Sequence, residues 1–143
     1  TEKVNRRLRK MDHIMIFFLI AGSYTPVCLI ALHGKTGTIL CIAVWSVAIV
    51  GTIVKACWIT CPKWFSSVIY IAMGWLCVFA FIPIVKALNP AGFGWLLAGG
   101  IIYTVGAIFY GIGKKIKYMH SIFHIFVLAG SILHFFSILL YVL

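Results

Sequence analysis

Five stretches of the chain are long and nearly free of charge: approximately 13–32, 38–58, 64–86, 93–113 and 119–142. A transmembrane helix needs about 20 mainly apolar residues, and every one of these runs is long enough. Short polar or turn-rich connectors separate them: HGKTG, TCPK, LNPAG and GKKIKY. No run alternates apolar and polar residues, as a membrane barrel strand would, and an open strand would leave backbone groups unpaired in hydrocarbon. The pattern predicts an all-α fold: one membrane domain, 1–143, built as a polytopic helical bundle.

Two of the runs carry a proline. Pro26 follows Gly-Ser-Tyr-Thr, and the hydroxyls of Ser23 and Thr25 are placed to bond carbonyls that a proline leaves free. Pro83 predicts a kink in the third helix. The glycines of GWLLAGGIIYTVGAIFYGIG in the fourth helix permit close approach of a neighbouring helix.

Composition makes lipid the solvent. The 143 residues are 64% hydrophobic and only 10% charged, against about 25% charged in an ordinary soluble domain. A domain of this size cannot hide that surplus in one core. Membrane lipids are therefore the expected surroundings, and the localisation is integral and multi-pass, in the cell or plasma membrane. Twelve Lys and Arg face only Glu2 and Asp12, for a formal charge of +10. In a soluble protein that imbalance would suggest nucleic acid. Here the cations fall between apolar runs, so they orient the chain in a bilayer and no nucleic-acid partner is expected. With the N-terminus inside, the inner segments hold ten cations: Lys3, Arg6, Arg7, Arg9, Lys10, Lys55, Lys63, Lys114, Lys115 and Lys117. Only Lys35 and Lys86 lie outside, so the N-terminus is expected in the cytoplasm and the C-terminus outside. The five cysteines lie mostly inside the runs and read as packing residues rather than a disulfide framework, with Cys57 and Cys61 a weak metal pair. No signal peptide opens the chain, and the start on TEKVNRRLRK without Met reads as a processed or cropped N-terminus.

This topology brings distant polar residues to one depth. Asp12 opens the first run directly after the basic segment, and His120 and His124 open the last run after Lys117. All three are expected near the cytoplasmic face. Asp12 is also the one acid in the membrane-embedded part, and an ionisable group there is a functional hypothesis by default. Residues i and i+4 of a helix share a face, about 6 Å apart along the axis, so both imidazoles can converge on one ion. Spacing alone balances a metal pair against two imidazoles at headgroup level; Asp12 tips it toward a site. His134 lies about 21 Å deeper than His120 and cannot join the same ion. It is expected to be a buried polar packing residue, with His13 and His33 at the interfaces.

RKMDHIMIFFLIAGSYTP resembles the third-helix signature of the hemolysin III family, which is related to the progestin and adipoQ receptors. HSIFHIFVLAGSILHFF resembles that family's last helix, and GGIIYTVGAIFYG the helix before it. The resemblance covers essentially the whole chain. It implies a seven-helix membrane protein with zinc near the cytoplasmic face, of which this chain would supply five helices and lack the first two. It further implies zinc ligation by His120 and His124 and a water beside the zinc held by Asp12, the catalytic candidate. A third histidine, from a Ser-x-x-x-His motif late in the second helix, has no counterpart here. The expected function is a zinc-dependent membrane hydrolase acting on a lipid amide or ester. The alternative is a receptor-like or membrane-homeostasis protein with a structural zinc. The family's label of cytolysis finds no pore-building pattern in these residues.

Overall fold

The computed structural model describes residues 2–57, 63–112 and 118–143. The connectors TCPK and GKKIKY fall outside the described residues except for Lys63 and Tyr118, and so do Cys61, Lys114, Lys115 and Lys117. The described residues are almost entirely helical, with no strand among them. The elements are α1 (Glu2–Pro26), a π-helical turn (Val27–Ala31), α2 (Lys35–Cys57), α3 (Lys63–Gly74), a 3₁₀ segment (Trp75–Ala80), α4 (Phe81–Ala87), α5 (Pro90–Ile112) and α6 (Met119–Tyr141). Five spans are long and apolar enough to cross a membrane: Lys10–Ala31, Lys35–Cys57, Trp64–Ala87, Pro90–Ile112 and Met119–Tyr141. The chain is thus an integral, multi-pass helical membrane protein whose outer faces meet lipid.

Both prolines leave their mark on the backbone. Pro26 has no N–H, and the helix after it loosens into a π-turn in which the Leu32 N–H reaches back five residues to the Val27 carbonyl at 3.0 Å. The hydroxyls of Ser23 and Thr25 do bond carbonyls, but those of Ile20 and Ala21, at 2.8 and 2.9 Å, rather than the Gly22 carbonyl that Pro26 would have served. The third span is interrupted upstream of Pro83, where Trp75–Ala80 tightens to 3₁₀ and Ala80 leaves helical geometry at φ −111°, ψ 23°. A phenol from α1 occupies that break. The Tyr24 hydroxyl donates to the Gly74 carbonyl at 2.5 Å and accepts the Cys77 N–H at 3.2 Å.

The core is built where small residues let helices close. Gly92, Gly99 and Gly106 recur every seven residues on α5, all are buried, and each faces a side chain of α6. A Cβ on Gly106 would lie 2.6 Å from Phe126 Cβ, one on Gly92 would lie 2.6 Å from Tyr141 Cβ, and one on Gly99 would enter the His134 ring. In the opposite direction, Gly130 of α6 admits Tyr103 of α5. On the other side, Phe17 of α1 is buried against Gly51 of α2. Where α1 and α2 pair, the Lys10 ammonium donates to the Ala56 carbonyl at 2.9 Å, a cation on the negative end of α2. The start of α1, the end of α2, the start of α3, the end of α5 and the start of α6 meet at one end of the bundle.

Candidate metal centre

Asp12 reaches this end as the last acid before α1 turns apolar, and the i,i+4 spacing on α6 aims both imidazoles at it. His120 Nε2 lies 3.4 Å from Asp12 Oδ2, and His124 Nε2 lies 3.4 Å from Asp12 Oδ1. The two Nε2 atoms are 3.1 Å apart. One donor atom from each of the three residues can be chosen so that all lie within 4.8 Å of one another, a triad that could hold a metal ion. Residues more than a hundred positions apart in the chain are thus brought to one point. The imidazoles keep 44% and 41% of their exposure while the carboxylate keeps 28%, so the site is open at the bundle end and closed below.

The donor set fits zinc. Ligands held at about 2.0–2.1 Å in a tetrahedron stand about 3.3 Å from one another; the two imidazole nitrogens are 3.1 Å apart, and each lies 3.4 Å from a different oxygen of the one carboxylate. A hydrogen bond between the two rings would satisfy one pair of nitrogens only. Asp12 Oδ2 is buried with no hydrogen-bond partner among the described residues, a costly state for a carboxylate oxygen unless a donor or a cation comes to the carboxylate.

Two residues beside the triad escaped the sequence. His13, expected at the interface, is instead buried at 7% exposure, with Nδ1 3.6 Å from Asp12 Oδ2 and Nε2 2.6 Å from the Tyr110 hydroxyl. Tyr110, also buried, ends α5 with its ring 5.8 Å from His120 and 4.9 Å from Phe123. The available signal was its place: a phenol in the last turns of the fourth run lies at the same depth as Asp12, and a buried tyrosine needs a partner. His33 is exposed in the loop before α2. His134 is partly buried far from the triad, donating from Nε2 to the Leu96 carbonyl at 3.1 Å and packing edge-on to Tyr103. The four cysteines among the described residues, Cys28, Cys41, Cys57 and Cys77, are free thiols.

Behind the triad the bundle holds apolar space. A cavity of about 300 Å³ lies among α1, the interrupted third span, α5 and α6, with Tyr24, Trp75, Phe93, Leu97 and His134 in its walls. A smaller one of about 50 Å³ shares Ser23, Tyr24, Gly74, Gly100 and His134 with it and extends to Tyr70 and Phe123. Those last two residues touch the site: Tyr70 donates to the His13 carbonyl at 3.1 Å, and the Phe123 ring lies 5.5 Å from that of His124.

A family model described as "Haemolysin-III related" matches residues 1–135. Hemolysin-3 of Bacillus cereus is 45% identical over 141 residues, covering 99% of this chain and 64% of that protein. The Hemolysin-3 homolog of Bacillus subtilis is 44% identical over 140 residues, covering 98% of this chain and 65% of that protein. The monocyte to macrophage differentiation factor of Homo sapiens is 29% identical over 128 residues, or 89% of this chain and 52% of that protein. The chain spans just under two thirds of the length of the two Bacillus relatives. No solved structure matches.

Proposed function

The chain belongs to the haemolysin-III-related family of integral membrane proteins, and from that premise we propose that it is a zinc-dependent membrane hydrolase acting on lipid amides or esters. The observation that carries the proposal is the convergence of Asp12, His120 and His124, two imidazoles and a carboxylate at ligand spacing. His120 and His124 are the zinc ligands. Zinc in such a site acidifies a water to about pKa 7 and polarises a carbonyl. Asp12 is the catalytic residue: Oδ1 faces the open side with His124, where it can orient the attacking water and take its proton. Its other oxygen is turned to the protein.

A closed structural zinc normally has four protein ligands, whereas a catalytic one keeps a position for water. Both imidazoles are partly exposed, at 44% and 41%, which leaves room for a water beside them and favours the catalytic form. The larger apolar cavity suits an acyl chain, and the smaller one beside it, lined by Tyr70 and Phe123, would lead the chain's head toward the site. By the distribution of Lys and Arg, the site end lies on the cytoplasmic side, with the C-terminus outside.

The deciding experiment is zinc analysis and turnover of a panel of long-chain amides and esters by protein purified in detergent. Wild type is expected to retain zinc and hydrolyse a member of the panel. Asp12→Ala should bind zinc at least about 10–100-fold more weakly, still load at saturating metal, and lose turnover, while His120→Ala should lose both zinc and turnover. Full zinc loading with no turnover across the panel would leave the structural-zinc alternative standing. The name Hemolysin-3 of the Bacillus cereus relative raises a lytic reading, which predicts dye release from liposomes; the hydrolase predicts none.

A further inference from the structure

His13 lies between the triad and the protein interior, and its two nitrogens face different partners. Nε2 is 2.6 Å from the Tyr110 hydroxyl and Nδ1 is 3.6 Å from Asp12 Oδ2. Two proton arrangements are available to a neutral ring. If Nε2 carried the proton, it would donate to the phenol and the Nδ1 lone pair would face an anionic oxygen. If Tyr110 O–H donates to Nε2, the ring proton sits on Nδ1, on the side of the carboxylate. The second arrangement directs both donors toward the negative charge and meets Asp12 Oδ2, which is buried with no hydrogen-bond partner among the described residues. Around it, Tyr70 donates to the His13 carbonyl at 3.1 Å, and the Tyr110 ring packs beside His120 and Phe123. One phenol therefore touches both the imidazole of a proposed ligand and the residue behind the carboxylate.

We infer that Tyr110 and His13 are positioning residues. They form a donor string, Tyr110 O–H to His13 Nε2 and His13 Nδ1–H to Asp12 Oδ2, that holds the carboxylate facing His120 and His124. The inference rests on the metal-site reading above and adds to it the pair that sets its geometry. The 3.6 Å separation is longer than a hydrogen bond; contacts of this kind commonly tighten once a site is loaded. Residues that orient ligands from behind typically contribute about 10–100-fold in metal affinity.

Cobalt(II) tests this directly, because its visible absorption bands report ligand geometry and its affinity can be read by chelator competition. The measurement is made on the full chain in detergent, with metal-free melting followed in parallel. Wild type is expected to bind cobalt. Tyr110→Phe, which keeps the ring against His120 and removes the donor, should weaken cobalt binding about 10–100-fold and shift its bands, with melting of the metal-free protein little changed. His13→Ala should weaken it similarly, and the double variant should be no weaker than either single one, as befits one string. His13→Asn, which keeps an N–H donor near the position of Nδ1, should recover part of the affinity. Tyr103→Phe, whose phenol bonds Ser131 at 2.7 Å away from the triad, should bind as wild type. If His13→Ala does not fold, Tyr110→Phe and His13→Asn decide. Wild-type cobalt binding that both variants match in affinity and spectrum overturns the string and leaves the metal site intact. Failure of wild type to bind cobalt or zinc removes the metal site, and the string with it.

Discussion

His120 and His134 stand on one helix, fourteen residues apart and so on nearly the same side of it, yet their surroundings differ in kind. His134 meets backbone: a carbonyl of α5 accepts its Nε2–H, and Gly99 makes room for its ring. His120 meets charge: its Nε2 faces the Asp12 carboxylate and a second imidazole, with much of the ring open. The first histidine is a packed side chain whose polar demand is met within the helix pair. The second belongs to a cluster in which one carboxylate oxygen, Asp12 Oδ2, is buried with no hydrogen-bond partner among the described residues. What separates the two imidazoles is the partner across the gap, a neutral carbonyl for His134 and an anion for His120.

Opposite rankings in stability and in metal content would follow, and three substitutions test that. The largest expected loss of stability comes from Gly99→Val, which drives a branched side chain into the His134 ring. We expect about 3 kcal/mol or more, read as a large fall in melting temperature in detergent, with zinc retained by the fraction that folds. His134→Ala should cost about 2 kcal/mol through its lost hydrogen bond and the space left behind, again with zinc content unchanged. His124→Ala should move the melting of metal-free protein least, by about 0.5 kcal/mol or less, because the side chain is half exposed. It should nevertheless strip the zinc. If His134→Ala lost zinc while His124→Ala kept it, the contrast between the two regions would be reversed.

Much of this was legible in advance because membranes simplify the code. Charge-free length alone marks the five spans, and Pro83 marks the interruption of the third one. The gathering of Asp12, His120 and His124 could be anticipated because reversing direction four times puts the entries of the first and fifth spans at one end. The burial of His13 could not. A helix start beside Arg and Lys looks interfacial, and only the arrival of Tyr110 and Tyr70 from α5 and α3 turns it into interior. The service rendered by Tyr24 to the broken third span is equally a tertiary event, with nothing local to announce it. The hydroxyls of Ser23 and Thr25 show a finer limit. The residue types were informative, but each hydroxyl takes the carbonyl three or four residues back along its own helix, not the one freed by Pro26.

The sevenfold spacing of Gly92, Gly99 and Gly106 constrains how this protein can change its length. A straight helix drifts by about 20° per seven residues, so a stripe that keeps touching its neighbour over two such repeats favours a gentle left-handed coiling of the pair. One residue inserted between Gly99 and Gly106 would swing everything beyond it by about 100°, turning Tyr110 away from His13 while leaving the composition of the span untouched. Additions and deletions should therefore be tolerated in the connectors and rejected within α5, however hydrophobic the added residue is.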